Sequence, residues 1–493
     1  MPQKFIWSCA QGFDLARRII AATPVPYVPH DHQLEGVCKS LDGVDLFAIT
    51  PTGSGKTSYF VLYIMIILEI LKDPALCPTA TFPTNPCLLV ICPTIPLQIE
   101  MAANTVKLGL RAVVINSETR GEARKENKDL WQLARTEPNV ILTGPEQLKT
   151  ADFEKTLRDK AFYARICGTS IDEVHLLNSW GTTFRKDFLH LGFVGARLPD
   201  HHNPWILASA TVHDGDPFNN ICTLLGLKFG NFHLIRRSCS RPDVQILFRE
   251  LTSSISGDSF PELDWILTEN RPTVIFPKSY SLGSRIYTYF LRKLKLTNHS
   301  TRIRLYNSLN FDLHNAETRE LLQGSPSSPK YCQIVIGTDS LSVGVGMPAR
   351  LDAVLIGDID DTDELIQKLG RVGRMQNGQQ IARGIIYVSA ATRKAAEKAL
   401  ADHTAGVPLK PGEKPPDLRF QQMILAKYKV KCQDILYDNP PTDPPCTCLM
   451  CAERPPRSLP QACNCSGCVP ENLPALSKPP RASRVNTNIP KNQ

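Results

Sequence analysis

Residues Ile49–Phe60 read ITPTGSGKTSYF, and the run DLFAI leads into them. Gly53, Ser54 and Gly55 allow an apolar strand to turn sharply into a helix. In such a turn the backbone N–H groups face phosphate oxygens, aided by the positive end of the helix dipole. Read this way, Thr52, Gly53, Ser54 and Gly55 form the cradle, Lys56 reaches the outer phosphates, and the Thr57 hydroxyl holds Mg2+. The general pattern places a glycine at position 50, where this chain has Thr50. A glycine turn followed by Lys-Thr and preceded by a strand predicts ATP binding.

The pattern around this loop predicts the fold class. Short apolar runs alternate with amphipathic stretches: DLFAIT, CLLVICP, AVVIN, NVILTG, ICGTSID and PWILASAT, then QILFREL, TVIFPKS, CQIVIGTD, AVLIGD and GIIYVSA. Runs of this kind between helical segments make parallel sheets covered by helices. The reading is α/β, with two tandem parallel-sheet lobes followed by a small cysteine-rich segment. The expected boundaries are a lead over 1–28, a first lobe over 29–240, a second over 241–402, a proline-rich linker and cysteine segment over 403–470, and a disordered tail over 471–493.

A second acidic feature completes the phosphate site. In SIDEVHLLNSWG, Asp172 and Glu173 follow the apolar run ICGTSI. An isolated Asp-Glu pair more often lies on a solvated face. At the end of a buried strand downstream of a phosphate loop, Asp172 is placed to hold Mg2+ and Glu173 to polarise the attacking water.

From DEVH onward the chain resembles the superfamily 2 helicases over roughly residues 29–390. That resemblance implies two RecA-like lobes. Gln33 in HDHQLEG corresponds to the residue that reads the adenine edge. ICPTIPLQIEMA and LTGPEQL resemble segments that touch the nucleic-acid backbone. Ser209-Ala210-Thr211 resembles the Ser-Ala-Thr that links hydrolysis to strand movement, with His175 of DEVH in the same coupling group. Thr338, in IVIGTDSLSVGVGMP, falls in the second-lobe segment facing both ATP and the strand. QKLGRVGR places Gln367, Arg371 and Arg374 on the second-lobe side of the cleft.

Within that superfamily the chain is similar to RecQ. DEVHLLNSWGTTFR matches the RecQ aromatic-rich loop through Ser179, Trp180, Gly181, Phe184 and Arg185, and RSCSRPDVQILFREL resembles the RecQ lobe junction. Trp180, Phe184 and Arg185 are therefore expected at single-stranded DNA, by stacking and coupling. Core packing is the other reading of the two aromatics. The last motif departs from RecQ: Lys368 and Met375 stand where acidic residues are usual, which puts coupling in question more than ATP binding. The resemblance implies an ATP-dependent 3′→5′ DNA helicase of repair or recombination, acting on single-stranded and partly duplex DNA in the nucleus. The alternatives are an RNA-directed motor and a helicase-derived scaffold with weak unwinding. A winged-helix domain is not expected.

Of 16 cysteines, seven crowd into Cys432-x13-Cys446-x-Cys448-x2-Cys451-x11-Cys463-x-Cys465-x2-Cys468. The N-terminus MPQKFIWSCAQGF has no secretory pattern, so metal is expected before disulfide. AKYKVKCQDILYDNPP followed by clustered cysteines resembles the RecQ zinc segment, which implies one structural Zn2+ held by Cys432, Cys446, Cys448 and Cys451. The trio Cys463, Cys465 and Cys468 is able to replace the first, and seven thiolates can also serve two ions through a shared sulfur.

Hydrophobic residues make up 42% and charged residues 21% of 493, with a net charge of +8. That balance fits a globular chain and is compatible with a polyanion partner. The longest apolar run, Tyr59–Leu68, is too short to span a bilayer and is read as a buried helix, so no membrane partner is expected.

Overall fold

The computed structural model describes residues 5–177, 191–195, 197, 203–241, 243–295, 301–324, 328, 331–338, 341, 347, 350–357, 359, 361–373, 381–410, 415–448, 451, 463 and 465–468. Two parallel sheets organise them. In the first lobe the strands are β1 (Asp45–Ile49), β2 (Cys87–Ile91), β3 (Ala112–Ile115), β4 (Val140–Thr143), β5 (Ile166–Ile171), β6 (Trp205–Ser209) and β7 (Phe232–Arg236), in the order β3-β4-β2-β5-β6-β1-β7. The second lobe contains β8 (Val244–Leu251), β9 (Thr273–Pro277), β10 (Ile303–Tyr306), β11 (Ile334–Gly337), β12 (Asp352–Ile356) and β13 (Ala382–Ser389), in the order β10-β11-β9-β12-β13-β8.

The strand interiors are apolar because helices cover both faces. β2 (CLLVI) and β6 (WILAS) are buried along their whole length. The predicted buried helix is Thr57–Lys72, and Ser58–Ile67 is buried throughout. It packs in the core with Leu34, Val37, Leu46 and Leu88. Among the described residues no helix is long and apolar enough to cross a membrane.

All eleven predicted runs are strands, and two further strands join them. β7 (FHLIR) and β10 (IRLY) lie at sheet edges. Arg236 and Arg304 interrupt their apolar pattern and are satisfied by local partners: Arg236 donates to the Val212 carbonyl at 3.0 Å, and Arg304 to the Thr318 hydroxyl at 3.0 Å.

The helix Ala10–Ala21 belongs to the first-lobe core, where Trp7, Leu15, Ile19 and Ile20 are buried beside Leu34 and Val37. At the other end, Leu418–Leu425 and Lys429–Leu436 are helices, and Phe420, Met423, Ile424 and Tyr437 enter the second-lobe core.

Candidate active site

β1, β5 and β6 are neighbours in the first sheet, so the loops at their C-terminal ends meet at one place. In α/β sheets that edge is where ligands bind. The Ile49–Ser209 register and the 3.0 Å bond from the Thr50 N–H to the Ser209 carbonyl put the phosphate loop beside Ser-Ala-Thr. The Asp172 N–H bonds to the Ile91 carbonyl at 3.1 Å, which fixes the acidic pair at the end of β5.

The phosphate loop turns as its glycines require, with φ of +83° at Gly53 and +75° at Gly55. Gln33 braces it from behind: its side-chain N–H groups reach the Ser54 carbonyl at 3.0 Å and the Gly55 carbonyl at 2.9 Å. A Cβ at Gly55 would lie 2.8 Å from that amide nitrogen. Gln33 is therefore placed by the structure against the loop.

The loop opens into a cleft of about 560 Å³, within the range of small-molecule sites. Lys56, Thr57, Asp172 and Glu173 line it from the first lobe and Arg371 from the second. Burial, and after it the adjacent Glu173 carboxylate, push Asp172 up to about 7, against the pull of Lys56 and Arg371. The Asp172 carboxylate and the Thr57 hydroxyl are hard oxygen donors suited to Mg2+. Burial lowers the pKa of the Arg371 guanidinium, while Glu173, Glu100 and Asp172 hold its charge. Its Nε has no hydrogen-bond partner among the described residues.

Glu173 has φ +53°, a left-handed conformation that costs a residue with a Cβ about 1–2 kcal/mol. The turn aims the carboxylate at His175, whose Nδ1 lies 3.4 Å from Glu173 Oε2. The same Nδ1 is 2.9 Å from Ser209 Oγ, and that oxygen accepts the Thr211 N–H at 3.2 Å. His175 Nε2 lies 2.6 Å from the Gln367 side-chain nitrogen of the second lobe. With that amide donating to Nε2, the ring proton sits on Nδ1, facing Ser209 and Glu173. The proposed general base, the Ser-Ala-Thr segment and the second lobe are thus joined through one buried imidazole. Gln367→Ala removes the interlobe bond, a loss of about 1–1.5 kcal/mol. Nucleic-acid-stimulated ATP turnover should fall about tenfold. Nucleotide affinity, measured on the same protein, should change far less. Equal losses in both would place Gln367 in nucleotide binding.

Two further contacts close the lobes on the loop. Arg241 donates to the Thr52 carbonyl at 3.3 Å and to the Val372 carbonyl at 3.1 Å, and Asp243 holds its guanidinium at 2.6–2.8 Å. Gly370 lies so near the loop that a Cβ there would be 1.9 Å from Thr52 Oγ1. Gly370→Ala should therefore leave each lobe folded but hinder closure, raising the KM for ATP about tenfold if overpacking costs about 1–3 kcal/mol. An unchanged KM would mean that closure does not need this approach.

Of the two departures from the RecQ pattern, Met375 lies outside the described residues, and Lys368 is not among those that line the cleft. It is buried, pairs with Glu364, and lies 5.5 Å from the Phe276 ring centre. Thr338 follows β11, and its buried hydroxyl has no hydrogen-bond partner among the described residues. Trp180, Phe184, Arg185 and Arg374 lie outside the described residues. Tyr27 lines the cleft, with its hydroxyl 2.7 Å from Ser58 Oγ. The signal for it in the sequence is an aromatic shortly before Gln33.

The cysteines divide differently from the expected set. Cys446, Cys448 and Cys451 gather with His30 of the first lobe, and Cys463, Cys465 and Cys468 form a separate group. Cys432 is not part of the first group. Its helix packs on the second-lobe core beside Cys463, Cys465 and Cys468. Burial opposes ionisation of Cys465, but hydrogen bonds from Cys463 and from backbone amides of Gly467, Lys429 and Val430 bring its thiol down to about 7. Both groups have thiol donor sets compatible with zinc.

Two parallel-sheet lobes thus meet at one cleft, with the phosphate loop and the acidic pair on the first and Arg371 on the second. Residues 30–217 match the DEAD/DEAH box helicase family. In sequence the chain is 30% identical over 182 residues to the ATP-dependent DNA helicase Q1 of Rattus norvegicus, covering 37% of this chain and 27% of that protein. It thus spans about a quarter of the length of the curated relatives it first matches. In fold it is similar to the DUF1998 helicase MrfA bound to DNA and AMPPNP, with a TM-score of 0.56, 16% identity, and 87% of this chain and 57% of that one covered. It is also similar to Mss116p bound to ssRNA and AMP-PNP, with a TM-score of 0.58, 12% identity, and 89% and 92% covered.

Proposed function

We propose that the protein is an ATP-dependent DNA helicase and translocase of 3′→5′ polarity, serving DNA repair or recombination in the nucleus. The observation that carries an ATP-driven motor is the line from Glu173 through His175 to Gln367. It lets the state of the catalytic carboxylate depend on whether the lobes are closed. Lys56 and the loop amides hold the phosphates of ATP, and Glu173 orients the attacking water. Arg371 stabilises the charge that develops on the γ-phosphate. Thr57 and Asp172 would hold Mg2+, which would supply charge neutralisation at the phosphates. Once the γ-phosphate leaves, Arg371 loses its partner and the lobes part. If each lobe grips the strand through backbone contacts, this cycle moves it stepwise without regard to sequence.

DNA as the substrate, and the polarity, rest on the RecQ-like sequence of the first lobe and on its similarity to helicase Q1. An RNA substrate has one observation in its favour, the fold similarity to Mss116p bound to ssRNA. ATP turnover with single-stranded DNA and with RNA of the same length separates the two, and duplexes carrying only a 3′ or only a 5′ tail test polarity. DNA stimulation with unwinding of the 3′-tailed duplex is expected. Stimulation by RNA alone would transfer the motor to RNA, and no stimulation by either would leave a scaffold.

A further inference from the structure

We propose that His30, Cys446, Cys448 and Cys451 form a Cys3His zinc site that fastens the C-terminal segment to the first lobe and thereby sets the nucleotide pocket through Gln33. The donor atoms of these four side chains all lie within 4.8 Å of one another. His30 Nδ1 is 3.0 Å from Cys448 Sγ, 3.3 Å from Cys451 Sγ and 3.8 Å from Cys446 Sγ. Around tetrahedral Zn2+, with Zn–S near 2.3 Å and Zn–N near 2.0 Å, a nitrogen–sulfur edge is about 3.5 Å. Three thiolates and an imidazole make a closed structural set.

The surroundings orient these ligands. The Asp31 N–H points at Cys446 Sγ at 3.3 Å. The Asp31 carboxylate accepts the Thr447 N–H at 2.9 Å and an Arg17 N–H at 2.9 Å. Outer-shell bonds of this kind fix ligand geometry. The chain leading into the first cluster is also held. Arg237 donates to the Pro444 carbonyl at 3.0 Å, and Asp443 and Asn439 accept the Ser238 and Cys239 N–H groups, each at 2.9 Å. The other trio sits on the opposite lobe, where the Ser466 N–H bonds to the Ile246 carbonyl of β8 at 3.0 Å. One cysteine group is thus seated on each lobe.

The link to the pocket is short. The His30 N–H donates to Gln33 Oε1 at 2.9 Å, and the other end of the same amide holds the Ser54 and Gly55 carbonyls. A metal-held His30 fixes the turn that fixes Gln33, and Gln33 fixes the phosphate loop. This second half of the inference rests on the cleft being an adenine-nucleotide site.

Elemental analysis of the purified full chain, with and without Cys448→Ser/Cys451→Ser, tests the site. The intact chain should carry one zinc more than the double variant. His30→Ala should surrender that ion to a chelator at an at least tenfold lower chelator concentration. His30→Cys should keep the ion, and its Co2+-substituted form should show stronger thiolate-to-cobalt charge transfer. These outcomes separate loss of a ligand from failure to fold. ADP affinity should fall about tenfold in the double variant and be retained in His30→Cys, the size of an ordinary coupling between sites. Equal zinc in the intact chain and the double variant overturns the site, and wild-type zinc retention by His30→Ala overturns His30 as its ligand. Loss of the ion with unchanged ADP affinity overturns the link to the pocket. Failure of the intact chain to bind ADP tells against the nucleotide reading, while the zinc counts still decide the site.

Discussion

Glu173→Gln should leave ATP bound and lower its hydrolysis on the order of 10³-fold, the usual contribution of a positioned general base. The substitution keeps the shape of the side chain and removes the charge that orients water. Phosphate binding should be untouched, because the proposed mechanism assigns it to Lys56, Thr57 and the loop amides, which the glycines at 53 and 55 present from the end of β1. The left-handed backbone at Glu173 is set by the turn and not by the carboxylate, so the amide should occupy the same place. Equilibrium nucleotide binding and steady-state ATP turnover on one preparation check this. Near-normal turnover would remove Glu173 from the chemistry. Lys56→Ala offers the contrast, because binding and turnover should fall together.

Arg371→Ala should lower ATP hydrolysis by about 10³-fold or more, the range in which an arginine supplied to a transferring phosphoryl group acts. Arg371 is buried in the cleft and faces both acidic residues, and its Nε has no hydrogen-bond partner among the described residues. Arg371→Lys retains the charge without the planar fork and should recover only a small part of the loss. Nucleotide affinity should change much less than turnover if, as proposed, Arg371 acts most strongly in the transition state. A drop in affinity that accounts for the whole loss in turnover would make Arg371 a ground-state binding residue.

Much of this site is legible in the chain because its parts are local. A glycine turn between a strand and a helix, and an acidic pair ending a buried strand, carry their geometry within a few residues. The central strands are legible for a similar reason: a strand covered on both faces is continuously apolar, as CLLVI and WILAS are. The edge strands FHLIR and IRLY are harder to read, since a half-covered strand tolerates charge and loses the pattern. Trp7, Leu15 and Ile19 look like an unremarkable lead until the helix carrying them is seen in the first-lobe core.

The sequence by itself determined that there are two parallel-sheet lobes, a phosphate loop at Lys56, an acidic pair at Asp172 and Glu173, and a crowd of thiols near the C-terminus. Only the tertiary structure decided which partners these groups keep. Thiols look alike in a sequence, and the RecQ resemblance implied Cys432 with the first trio, the second trio being able to replace it. The path of the chain instead seats Cys432 on the second-lobe core and carries Cys446, Cys448 and Cys451 to His30, on the first lobe. In the same way nothing near His175 in the chain announces Gln367; closure of the lobes brings the imidazole and the amide to 2.6 Å. Local conformation is set by neighbouring residues, which the sequence shows. A ligand set or a relay depends on which surfaces pack together, and that is fixed by burial across the whole molecule.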